Sequence, residues 1–109
     1  MNEYHDHADL GLLPELKKLA AKEFDGYAAL NAAAGRADGV IPKKYRELMA
    51  IAISLTTQCP YCLDVHTVAA KRAGATREEV AETTFIAAAL RAGAAVTHGA
   101  LALKLFDRP

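Results

Sequence analysis

Both cysteines of the chain, Cys59 and Cys62, stand in the tetrapeptide Cys59-Pro60-Tyr61-Cys62, and one of its four histidines, His66, follows Cys62 by four residues. Pro60 suits the first position of a helix, with Cys59 as its N-cap. The free N–H groups of the first turn and the positive end of the helix dipole then favour a thiolate. Two sulfurs three residues apart can close a small disulfide, the dithiol/disulfide couple of a redox enzyme. His66 lies one turn beyond Cys62 on the same face and can take the thiol proton. An imidazole in that role needs a third group to orient it, and Glu47 is the candidate. Glu47 precedes Cys59 by about 18 Å of helix, and His66 returns by roughly 10 Å if the chain reverses near Gln58. A crossing angle, the glutamate side chain or one bridging water can close the rest.

These residues need helices to hold them. Pro42 opens a segment that runs to about Thr57, apolar on nearly every side from Leu48 to Leu55, and so expected to be central and buried. Glu47, Ile51, Ser54 and Gln58 recur at four, three and four residues, which sets a polar stripe on that helix. A stripe of this kind needs partners, because an unpaired buried carboxylate costs several kcal/mol or takes up a proton. After the cysteines a helix continues over Leu63 to Ala73 and is closed by Gly74. Thr76-Arg77-Glu78-Glu79 is a capping box opening a last helix, or pair of helices, toward Phe106, with Gly93 tolerated inside it or marking a break. Its two apolar faces can cover the core and meet a second subunit. Upstream, Pro14 starts a helix with an apolar stripe through Leu16, Leu19, Phe24, Tyr27 and Leu30, bent or split at Gly26 and ended at Gly35. Residues 1 to about 12 read as a loose, solvated lead-in. His5 and His7 lie in it, two residues apart, without a third metal ligand nearby. No period-2 pattern appears. The expectation is an all-α fold, one domain over residues 1–109, with the Cys-x-x-Cys at the start of a central helix.

Composition narrows the function classes. Thirteen basic and thirteen acidic residues give a formal net charge of zero, so no polyanion or anionic membrane is expected as partner. The longest apolar runs are broken by charged or turn residues, so no transmembrane helix is expected either. The polar start of the chain carries no signal-peptide pattern, which with a lone thiol pair points to the cytoplasm. Aromatic residues are 6% of the chain, and Trp is absent, which favours closely packed helices.

Taken together, Glu47, Cys59, Cys62 and His66 reproduce the Glu-x(11)-Cys-x-x-Cys-x-x-x-His pattern. In this the chain resembles the alkylhydroperoxidase D-like proteins of the carboxymuconolactone decarboxylase superfamily, from about Pro42 to Phe106. The resemblance implies an all-helical subunit assembling as a trimer or hexamer. It also implies a peroxidase with Cys59 and Cys62 as the redox pair, His66 as proton relay and Glu47 as distal base. A hydroperoxide would be the substrate and a dithiol or protein thiol the electron donor, with no cofactor or metal. The chain departs from the best-described peroxidases of this group at Tyr61, where they carry His. The rival readings are a lactone decarboxylase of the same superfamily, a non-enzymatic redox sensor, and a zinc site built from Cys59, Cys62, His66 and either Glu47 or His98. Covalent haem is disfavoured, because Leu63 stands where that attachment needs His. His98, in an Ala/Gly-rich helix, reads as a packed or interface histidine. Tyr61 and Asp64 read as shaping the site without a chemical step.

Overall fold

The fold is taken from a computed structural model in which residues 4–109 are described; residues 1–3, the first part of the polar start, lie outside the described residues. A 3-10 turn over His7–Leu12 leads into α1 (Leu13–Leu19), α2 (Ala21–Ala34), α3 (Lys43–Thr57), α4 (Pro60–Arg72) and α5 (Arg77–Phe106). No strand occurs among the described residues.

The centre is α3, which packs against both α4 and α5. Its buried residues are Glu47, Ile51 and Ser54, spaced to share one face, whereas Gln58, the last member of the expected stripe, is exposed just past the helix end. Ile51 is 1% exposed, and burying such a side chain is worth about 1.5–3 kcal/mol. The Ser54 hydroxyl donates to the Ala50 carbonyl one turn back, so its burial leaves no polar atom unpaired. Burial is less complete than the apolar run implies. Met49 and Ile53 are exposed in the single chain, because only two helices cover α3. At Gln58 the backbone takes the left-handed conformation (φ 56°, ψ 52°), which ends α3 and sends the chain back along it as α4. That reversal returns His66 toward Glu47. Gly74, also at positive φ (95°), closes α4.

Both halves of the capping box form at α5: the Thr76 N–H donates to the Glu79 carboxylate at 2.8 Å, and the Glu79 N–H to the Thr76 hydroxyl at 3.1 Å. The helix then runs 30 residues without a break, with Gly93 in its interior. It is long and apolar enough to cross a membrane by length and composition, with an 18-residue window of mean hydropathy 1.4. The expectation that charges interrupt every such run does not hold here, because many alanines raise the mean around Arg91. The contacts of α5 are nonetheless with α3: Thr83 and Ala87 are its buried residues, and Arg91 donates to the Thr56 carbonyl at the end of α3.

Upstream, the stripe from Leu16 to Leu30 is split at Ala20 (φ −144°, ψ 64°) and not at Gly26, which lies inside α2. The lead-in is also more ordered than expected. Asp6 and Asp9 form a capping box that winds His7–Leu12 into its 3-10 turn, and this turn packs on α4.

Much apolar surface stays uncovered. The chain exposes 8634 Å², whereas a monomer of 11.6 kDa typically exposes roughly 5,800 Å². On α5 alone Phe85, Leu90, Val96 and Phe106 are more than half exposed.

Candidate active site

Cys59 is the N-cap of α4, with Pro60 at the first helical position, as the tetrapeptide implies. Its sulfur accepts a hydrogen bond from the Cys62 N–H at 3.2 Å. The two cysteines are joined as a disulfide, their Cα atoms 5.3 Å apart, within the ordinary range for such bonds. In this state neither sulfur is available as a zinc ligand.

One turn on, the His66 Nδ1 lies 2.6 Å from Glu47 Oε1. The gap between α3 and α4 is thus closed by the side chains directly, where the helix lengths alone left several ångströms. Glu47 is 3% exposed, and its second oxygen lies 3.1 Å from the Lys43 ammonium. Burial pushes its pKa up, but hydrogen bonds and charge from His66 and Lys43 outweigh burial and hold it below the ordinary glutamate value. Glu47 is therefore an anion at neutral pH. With Nδ1–H donated to it, the neutral imidazole presents Nε2 as its basic nitrogen. Glu47 holds Lys43 and His66 at the same time, because the carboxylate has an oxygen for each.

His66 sits midway along a cleft between α2 and the α3–α4 pair. On one side a cavity of about 550 Å³ is lined by Asp9, Leu13, Tyr27, Tyr61, Cys62 and His66, among others. On the other a cavity of about 560 Å³ reaches Lys43, Arg46, Glu47, Met49 and Ile53. Asn31, Val65 and His66 line both. Cys62 faces the first cavity, and Cys59 is not among its lining residues. A volume of this size accommodates an organic molecule, and the walls combine apolar side chains with a few polar groups.

The 3-10 turn closes the outer end of this cleft. The Tyr61 hydroxyl donates to Asp9 at 2.7 Å, His7 pairs with Asp64, and the His5 ring stands edge-on to Tyr61 with centroids 6.2 Å apart. His5 and His7 are thus docked on the start of α4 and do not form a free arm. The hydrogen bond to Asp9 raises the Tyr61 pKa and lowers that of Asp9, so the phenol stays protonated and acts as a fixed donor. Asp9 had no distinguishing signal as a wall of the cavity; the only hint is its spacing of three from Asp6. His98 lies on α5, which packs on α3 and not on α4, and it lines neither cavity.

The sequence profile of the carboxymuconolactone decarboxylase family matches residues 21–105. The chain belongs to this family. A crystal structure of a carboxymuconolactone decarboxylase family protein from Legionella pneumophila, in its apo form, matches with a TM-score of 0.68 and 33% identity, covering 90% of this chain and 87% of that one. An uncharacterised protein of the cox locus of Paracoccus denitrificans is 39% identical over 95 residues, 87% of this chain and 85% of its own length. An uncharacterised protein of Cupriavidus necator is 32% identical over 97 residues, 89% and 82% of the two chains. Within this carboxymuconolactone decarboxylase family chain, the matched stretch contains Glu47, Cys59, Cys62 and His66. The 3-10 turn with Asp9 and His7 lies ahead of it. The turn docked on the start of α4 therefore lies outside the stretch the family profile covers.

Proposed function

We propose that this chain is a thiol-dependent peroxidase that reduces alkyl hydroperoxides and hydrogen peroxide through a Cys59/Cys62 dithiol–disulfide cycle. What carries the reading is a disulfide at the first turn of α4 set one helical turn from a His66–Glu47 pair whose carboxylate is buried. In the reduced chain His66 takes the Cys62 thiol proton at Nε2 while Glu47 holds Nδ1–H. The Cys62 thiolate attacks one peroxide oxygen. The O–O bond breaks, Cys62 becomes a sulfenic acid, and the departing alkoxide takes the proton from His66 to leave as alcohol. The Cys59 thiol then attacks the Cys62 sulfur, expels water and closes the disulfide. A dithiol or protein-thiol donor supplies two electrons and two protons to reopen it, a chemistry suited to the reducing cytoplasm. The position of Cys62 on the cavity with His66 favours it as the attacking sulfur, and the N-cap hydrogen bond at Cys59 suits a resolving thiolate.

The test is a free-thiol count on the reduced protein before and after limiting alkyl hydroperoxide, beside an untreated control. Rapid loss of both thiols, restored by a dithiol reductant, is expected. Survival of the thiols would remove the peroxidase and leave a metal site, a disulfide exchanger for a protein partner, or a different His66–Glu47 reaction.

We further propose that the working form is a homo-oligomer, a trimer or hexamer. The excess exposed area, on the order of 3,000 Å², falls in the range that obligate interfaces bury, and the bare apolar face of α5 contributes to it. Light scattering should return a multiple of 11.6 kDa; a peak at the single-chain mass would refute the assembly.

A further inference from the structure

The first turn of α3 and its neighbourhood hold three cations, Lys43, Lys44 and Arg46, and no acidic residue lies in that turn. A helix N-terminus, carrying partial positive charge, disfavours each nearby cation. Lys placed four residues before Glu is also the weaker order of such a pair. Local preference gives no reason for these residues, and their long-range partners do. Lys44 pairs with Glu79 at the head of α5, at 2.9 Å. Arg46 donates to the Ala34 carbonyl at 2.7 Å and the Ile41 carbonyl at 2.8 Å. Gly39 leaves room for it, since a Cβ there would come within 1.9 Å of the guanidinium. Lys43 alone faces both ways, donating to the Gly35 carbonyl that ends α2 and pairing with Glu47 Oε2.

We propose that Lys43 is a positioning residue of the His66–Glu47 pair, fixing the rotation and the charge of Glu47. Glu47 has one oxygen on His66 and one on Lys43, so the ammonium sets which oxygen faces Nδ1. Together with His66 it opposes the burial that pushes the Glu47 pKa up, and a protonated Glu47 cannot support an imidazolium. No neighbouring charge can replace it. On α4, Asp64 is held by His7; on α5, Glu79 is held by Lys44 and Arg91 by the Thr56 carbonyl; on α3, Arg46 is held by α2 and the connecting loop.

The proposal rests on His66 acting as a proton relay, but its test needs no peroxide. Reduced protein carrying ¹³C at the glutamate carboxyls is titrated by NMR, with the Glu47 signal identified by its loss in Glu47→Gln. Glu47 should titrate below ordinary glutamates in the wild type, at higher pH in Lys43→Met, and near the wild-type position in Lys43→Arg. In parallel, alkylation of the reduced cysteines by iodoacetamide in Lys43→Met should slow on the order of tenfold at mildly acidic pH, with little loss at alkaline pH. Arg46→Met removes the tie to α2 while leaving both partners of Glu47, and should lower the melting temperature without moving the carboxyl titration. An unmoved titration in Lys43→Met, or an equal movement in Arg46→Met, would make Lys43 a structural tie only. Should Lys43→Met fail to fold, Lys43→Gln carries the same comparison. Loss of peroxidase turnover with these titrations intact would count against the peroxidase and not against Lys43.

Discussion

Cys62→Ser should consume no hydroperoxide, while Cys59→Ser should consume a single equivalent per chain and stop. The difference follows from the placement of the two sulfurs. Cys62 lines the cavity together with His66, one helical turn away, so its thiol has a proton acceptor and a space for substrate. Cys59 is the helix N-cap, its sulfur bonded to the Cys62 N–H, and it lines neither cavity. Removing Cys62 removes the nucleophile. Removing Cys59 leaves the nucleophile but nothing to trap its product, so Cys62 remains a sulfenic acid, detectable by mass after dimedone capture. With a dithiol added, Cys62→Ser should stay at background, and Cys59→Ser should turn over only as fast as the dithiol reduces the Cys62 sulfenic acid directly, below the wild-type rate. Dimedone adducts on Cys59 in a Cys62→Ser protein would reverse the two roles, and sustained full turnover in Cys59→Ser would rule out the paired mechanism altogether.

The parts of the site fixed by local rules were readable in the residues themselves. Cys59 and Pro60 state a helix start, Thr76 and Glu79 state another, and both form with the hydrogen bonds their types require. The four- and three-residue steps from Glu47 through Ile51 to Ser54 state a buried face, and those three are the buried residues of α3. Periodicity also separated the helices from any sheet. These signals are local because capping and helical register depend on neighbours within about one turn.

What the sequence left unread depends on contacts between elements. The docking of His5, His7 and Asp9 onto Tyr61 and Asp64 joins residues more than fifty positions apart, and no spacing rule reports it. The break at Ala20 instead of Gly26 runs against propensity, since Ala favours helix and Gly does not; the tertiary arrangement of α1 and α2 overrides it. The exposure of Met49 and Ile53 follows from how many helices cover α3, which an apolar run cannot encode. Lys43 stands four residues before Glu47, a spacing that lets the two meet, but its second partner, the carbonyl of Gly35, required the fold.

The second large effect is at His66. His66→Gln should slow the reaction of reduced protein with hydroperoxide by roughly 10²–10⁴-fold near neutral pH, the usual worth of a placed acid–base group. Glutamine keeps a hydrogen-bonding group opposite Glu47 but cannot carry a proton from the thiol. The size of the loss should depend on pH in a way that divides the two tasks of the imidazole. A free cysteine ionises near pH ~8.5, so as pH rises through that value the thiolate forms without help and this part of the defect disappears. Protonation of the departing alkoxide is a separate task, and any loss that persists above that range measures it. Glu47→Gln should cost less than His66→Gln, because the imidazole remains and loses only its buried anionic partner. Stopped-flow rates for the three proteins across that range decide the matter. A flat, pH-independent deficit in His66→Gln would assign the imidazole to the leaving group alone, and a deficit in Glu47→Gln equal to that of His66→Gln would mean that the histidine is inactive without the charge beside it.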